Sequence, residues 1–151
     1  MRKLRDNYVV RYRRIRGKLH PIVKFGLSCN GRIVTVEAYV DSGTAYSLFS
    51  PDDAKRLGIN YRSGRLTWVQ GVGGTFVPVY LHKLRVVIGR FSFKATVGFS
   101  DHIGVGFNLI GRKDIFNRLS FTFNDKYNFL LVSNVDDIPT SVRTHLGLPV
   151  R

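Results

Sequence analysis

The sequence predicts a mostly β domain, a sheet folded or closed on itself, with one long hairpin and a few short helices. Composition, alternation and turn spacing all point there. Its 151 residues are the size of one ordinary domain, and 44% hydrophobic content is enough for a core. With 15 Gly, 11 Phe and 7 Tyr, much of the apolar content is aromatic or β-branched, which favours strands and turns over helices. Turn residues recur at regular spacing between apolar segments, as in a folded or closed sheet.

In chain order, the first expected strands cover residues 22–27 and 33–40, joined by Asn30-Gly31, a strong hairpin signal. The second alternates and runs straight into Asp41-Ser42-Gly43-Thr44. Ser50 is a good N-cap, Pro51 suits the first helical position, and Asp52 and Asp53 favour the positive helix end. With Gly58 as a stop, these predict a helix over 51–57. Residues 65–70 and 75–81 read as a long hairpin around Gly71-Val72-Gly73-Gly74. Strands over 84–88 and 91–99 follow, turning at Gly89-Arg90, then a Gly-containing loop over 100–107 and a short apolar piece over 108–111. A helix is expected over 112–118, a last hairpin over 119–124 and 128–133, and a short helix over 140–146 ended by Gly147. The total is about seven to nine strands and two or three short helices. The expected division is a basic arm over 1–20, a domain over 21–133 and a C-terminal extension over 134–151.

The net charge is +14, and residues 1–20 supply half of it with eight basic side chains against Asp6 alone. Such an arm reads as a solvated tail and is a candidate for weak contact with nucleic acid or another polyanion. Cys29 is the one cysteine, so no intrachain disulfide forms, which fits a reducing, cytoplasmic setting. The first 20 residues hold no long apolar run, and no stretch approaches about 18 apolar residues, so neither a signal peptide nor a membrane span is expected. His20, His82, His102 and His145 lack metal-ligand spacing; no metal or cofactor is expected.

Three separated features carry chemistry. Asp41-Ser42-Gly43 ends an apolar strand, so its carboxylate is held on a tight turn, although Asp, Ser and Gly are also ordinary turn formers. The glycines at 71, 73 and 74 let a hairpin bend and lie over an extended ligand; no helix signal or Gly-Lys-Ser/Thr ending supports a phosphate loop. In Phe107-Asn108-Leu109-Ile110-Gly111-Arg112, bulky apolar residues precede a glycine, which suits a buried strand passing close to another turn.

In this order the three resemble the retropepsin-like aspartic proteases. The spacing agrees, with about 30 residues from Asp41 to the hairpin tip and about 70 to Leu109, and the likeness spans roughly residues 22–133. The resemblance implies one lobe of a pepsin-like enzyme per chain, a homodimer, and a polypeptide substrate. Asp41, Ser42 and Gly43 take the catalytic positions. Thr44, Gly71, Val72, Gly73, Gly74, Thr75, Phe107 and Leu109 take substrate-binding ones, with residues 71–75 as a flap. The sequence holds a single Asp-Ser/Thr-Gly triplet, so the second carboxylate must come from a second copy. Two departures stand out: Thr44 replaces a frequent Ala, and Ala45 replaces an acid that in many retroviral members pairs with the Arg after the Gly. Arg112 therefore needs another partner, Asp114 or a residue of the other subunit. Two further readings remain open: a non-catalytic module of the same fold that dimerises or binds peptides, and a nucleic-acid-binding barrel using the basic arm with Trp68 and Tyr61 as stacking surfaces.

Overall fold

The computed structural model describes residues 7–71, 73–104 and 106–149. The N-terminal segment forms strands β1 (Tyr8–Arg11), β2 (Arg13–Ile15) and β3 (Lys18–His20). Next, β4 (Ile22–Cys29) and β5 (Arg32–Val40) form the expected hairpin, with Asn30 and Gly31 at φ +49° and +77°, a turn conformation that Asn and Gly adopt most readily. There follow β6 (Ser47–Phe49), α1 (Pro51–Arg56), a single 3₁₀ turn (Tyr61–Ser63), β7 (Arg65–Gln70), β8 (Phe76–Ile88), β9 (Phe91–Phe99) and β10 (Asn108–Ile110). Last come β11 (Leu119–Asn124), β12 (Phe129–Asn134) and α2 (Thr140–Leu146).

Six strands close a barrel in the order β4-β5-β10-β6-β9-β8, with β8 returning to β4 through Gly26↔Val87, Leu27↔Val86 and Ser28↔Arg85. Closure gives each of the six strands a neighbour on both sides. β10 lies parallel to β5 and antiparallel to β6, so residues some 70 apart in sequence meet at the barrel's centre. The interior is filled by Val23, Phe25, Leu27, Val36, Ala38, Val40, Phe49, Val86, Phe99, Ile110 and their neighbours. A smaller cluster of Leu48, Val79, Leu81 and Leu109 covers the opposite face of the same sheet.

The two clusters explain one correction. The sequence predicts separate strands over 75–81 and 84–88, but β8 is continuous across His82 and Lys83. Its buried positions change parity there: Val79 and Leu81 belong to the smaller cluster, while Leu84, Val86 and Ile88 fill the barrel. A strand serving two cores on opposite faces reads as two strands, because each face has a period of two. β8 also hands one edge from β7, over residues 76–81, to β4, over 85–87.

A second correction concerns residues 112–118, which form successive turns rather than a helix. Asp114 takes φ +60°, and its carboxylate accepts a hydrogen bond from Thr96 N at 2.9 Å; a left-handed residue interrupts helical hydrogen bonding. The third lies in the basic arm. Residues 1–6 fall outside the described residues, but residues 8–20 are not a solvated tail. β1 pairs antiparallel with β12, completing a sheet ordered β1-β12-β11, and β2 and β3 form a hairpin turning at Arg16-Gly17. Apolar Tyr8, Val10 and Tyr12 pack against the core, which the count of basic residues concealed. The helices end as expected: Ser50 caps α1, accepting from Asp53 N at 3.4 Å, and Gly147 closes α2 at φ +65°. Among the described residues no helix is long and apolar enough to cross a membrane.

Candidate functional site

β5 ends at Val40, and Asp41 begins a tight turn. Asp41 N donates to Ile110 O at 2.9 Å, Gly43 N donates to Asp41 Oδ1 at 2.8 Å, and Thr44 N donates to Asp41 O at 3.4 Å. The turn is then clasped from β10's exit. Arg112 N donates to Thr44 O at 2.9 Å, Lys113 N to Ala45 O at 2.8 Å, and Gly111 N to the buried Ser47 hydroxyl at 3.0 Å. Any side chain at Gly111 would run into the Tyr46 carbonyl and the Thr44 methyl, so the close approach needs glycine. The clasp leaves Asp41 half-buried and Ser42 and Gly43 exposed. One oxygen of the carboxylate is thus fixed by its own backbone on a turn open to solvent.

Side chains alternate along a strand, so Asp41 continues the row of Glu37 and Tyr39. Parallel pairing of Leu109 with Tyr39 puts Leu109, and Phe107 before it, on that same face. Leu48, Leu109, Val79 and Leu81 make its apolar floor, with Tyr39, Tyr46 and Ile103 packed around them. Val69 and Val77, a cross-strand pair in the β7–β8 hairpin, also pack on this cluster. The base of the hairpin therefore packs on the same apolar cluster as Leu109 and Tyr39. At its tip Gly71 N donates to Thr75 O at 2.8 Å and Gly74 N to Gly71 O at 3.1 Å, while Gly73 and Gly74 take φ +91° and +82°. Val72 lies outside the described residues.

Phe107 stands apart from this floor. Its ring lies 5.8 Å from His20, which also meets Tyr39 at 6.1 Å. Two cavities flank it, of about 710 Å³ and 380 Å³. Asp41 lines neither of them. Arg13 Nη1 donates to Glu37 Oε1 at 2.6 Å, tying β2 to β5 and holding the Glu37 carboxyl below the usual carboxylate range.

Sequence reasoning missed Asn108 as a junction. Its amide donates to Glu37 O at 3.0 Å and to Asp53 Oδ2 at 2.7 Å, and its oxygen accepts from Ser50 N at 3.0 Å, so one side chain joins β10, β5 and α1. A polar residue inside an apolar run was the available signal. The proposed Arg112–Asp114 pair does not form: Asp114 bonds Thr96 N instead, and Arg112 lies over the Phe116 ring at 5.7 Å. Among the described residues no group of three His, Cys, Asp or Glu converges as metal ligands would.

The family model for aspartyl proteases matches residues 25–110, from β4 through the Asp41 turn and the β7–β8 hairpin to the end of β10. No curated protein matches significantly. Among solved structures, a retropepsin-like aspartic protease from Rickettsia conorii is 18% identical, with 85% of this chain and 90% of that one covered at a TM-score of 0.56. EIAV protease complexed with the inhibitor HBY-793 is 16% identical, with 87% of this chain and 92% of that one covered at a TM-score of 0.48. A closed six-stranded barrel, the Asp-Ser-Gly turn clasped by Gly111 and a family match over more than half the chain lead to one assignment: the chain belongs to the aspartyl protease family and has the retropepsin-like fold.

Proposed function

We propose that this protein is an aspartic endopeptidase that works as a homodimer, each copy contributing Asp41. The observation that carries the reading is the Asp41 turn, rigidly held yet open on one side, in a chain with a single Asp-Ser-Gly triplet. A second copy related by a twofold axis supplies the second carboxylate. Two carboxylates a few Å apart cannot both ionise cheaply, so they share a proton and titrate as a pair. The ionised member takes a proton from a water as that water attacks the scissile carbonyl carbon. The protonated member hydrogen-bonds the carbonyl oxygen and stabilises the tetrahedral intermediate. Proton transfer to the departing amine then completes cleavage.

In this reading Ser42 hydrogen-bonds across to the partner's turn, and Gly43 and Thr44 line the substrate backbone. The β7–β8 hairpin acts as the flap, with the backbone at Gly71, Gly73, Gly74 and Thr75 bonding an extended polypeptide. The floor of Leu48 and Leu109 favours apolar side chains beside the cut bond. The test is cleavage of an unstructured polypeptide from acid to neutral pH. Wild type should cut, a statine-type transition-state mimic should block it, and Asp41→Asn should lower kcat by about 10²–10⁴-fold or more. Equal activity in Asp41→Asn overturns the reading. Peptide binding without cleavage by wild type favours the non-catalytic module.

A further inference from the structure

The β2–β3 hairpin lies outside the residues that match the family model, and it is placed on the face that carries Asp41. Arg13 anchors it to Glu37, and His20 stacks on Tyr39 and Phe107; Glu37 and Tyr39 lie in the same alternating row as Asp41. Where β10 begins at Asn108, the β5 edge at residues 35–37 is uncovered by a strand, and the larger cavity opens there. Its charges are of both signs and largely paired with one another, Arg13 with Glu37 and Arg56 with Asp53. The smaller cavity differs. It is lined by Ile15, Arg16, Lys18, His20, Gly106 and Phe107, so among the described residues all its ionisable walls are basic. The neighbouring Arg14 is not among these lining residues, and its guanidinium donates to Gly17 O at 2.8 Å across the turn that carries Arg16.

We propose that this hairpin extends the substrate cleft and that the pocket between it and Phe107 receives an acidic side chain of the polypeptide substrate. The inference rests on the protease reading above. Phe107 aligns with Glu37, four residues before Asp41, which at about 3.3 Å per residue is roughly 13 Å from the catalytic carboxylate. An extended substrate covers that distance in about three or four residues. The acidic residue is therefore expected three or four positions from the cut bond, with its carboxylate near Arg16 and Lys18 and its methylene groups against Ile15 and Phe107.

The test uses one peptide cut by wild type, made with Glu, Gln or Lys at the third and fourth positions on either side of the cut. Glu should be favoured over Gln by about three- to ten-fold in kcat/KM, through KM, with the preference fading as salt is raised. The double variant Arg16→Glu, Lys18→Glu should reverse the order and prefer Lys to Glu. Binding of the same peptides to full-length Asp41→Asn, followed by fluorescence anisotropy, reads the pocket without cleavage and should give the same order. Equal handling of the three peptides by wild type, or a Glu preference that survives the double variant, overturns the proposal while leaving the protease reading intact. Failure of the protease reading is distinct: cleavage is then absent in wild type or unchanged by Asp41→Asn, and the anisotropy arm still decides the pocket. A single-stranded oligonucleotide that outcompetes the acidic peptide in wild type but not in the double variant would make the hairpin a nucleic-acid contact instead.

Discussion

At the scale of single residues, Gly111 and Tyr12 test the account most directly. Gly111 sits where the Asp41 turn and β10's exit are pressed together, and an added methyl also lies 2.7 Å from Thr44 Cγ2. Gly111→Ala must push the turn aside, so we expect destabilisation of about 1–3 kcal/mol and loss of activity beyond what stability explains. Gly104→Ala meets nothing within 4 Å and should be close to neutral; urea denaturation of both variants checks the contrast. Tyr12 donates to Asp125 Oδ1 at 2.8 Å, and burial, followed by this bond to a carboxylate, pushes its pKa up to about 12. A phenol whose folded pKa is raised contributes stability that is fully present below the unfolded value. That stability is lost as pH rises from about 10 through the folded value. Tyr12→Phe should lack this part of the alkaline loss, visible as the difference between the two proteins' melting curves across that window.

At the scale of elements, the two junctions that orient the site are α1 on the barrel and β2 on β5. Asn108 ties α1 to β10 and β5 through three part-buried hydrogen bonds, so Asn108→Ala removes all three at once and should cost about 1–3 kcal/mol by urea denaturation. The β2–β5 junction depends on an ionised Glu37. Its depressed pKa means that this attachment is in force above the ordinary carboxylate range and is lost as pH falls through the lowered folded value. Arg13→Ala should return the Glu37 titration to its ordinary position by NMR and speed amide exchange in residues 13–20 at neutral pH. An unchanged Glu37 titration in that variant would show that the ion pair does not set it. These elements were unequally legible. The hairpin at Asn30-Gly31 and the capped helix α1 follow from local turn and cap chemistry. The broken helix after Gly111 does not, because the hydrogen bond that holds Asp114 in its left-handed conformation comes from Thr96, in another strand.

At the scale of the whole molecule, the proposed pairing of Asp41 across two copies would make activity depend on association. Specific activity should fall on dilution while the barrel stays folded, and sedimentation should show a monomer–dimer equilibrium over the same concentrations. Mixing wild type with excess Asp41→Asn should suppress activity, because mixed dimers hold only one complete half of the carboxylate pair. Activity that simply tracks the amount of wild type in the mixture would exclude a shared site.

The sequence by itself determined the chemistry-bearing motifs and their order: Asp41-Ser42-Gly43, the glycines at 71, 73 and 74, and Leu109-Ile110-Gly111. Each is local, since a turn, a hairpin tip or a buried apolar run is dictated by the conformational freedom of a few adjacent residues. Only the tertiary structure decided that β10 slips between β5 and β6 to clasp the Asp41 turn, and that β8 serves two cores on opposite faces. It alone also decided that basic residues 13–20 fold back beside Phe107. These are pairings between distant segments, and they are fixed by closing the barrel and burying both faces of one sheet, which no short stretch of sequence encodes.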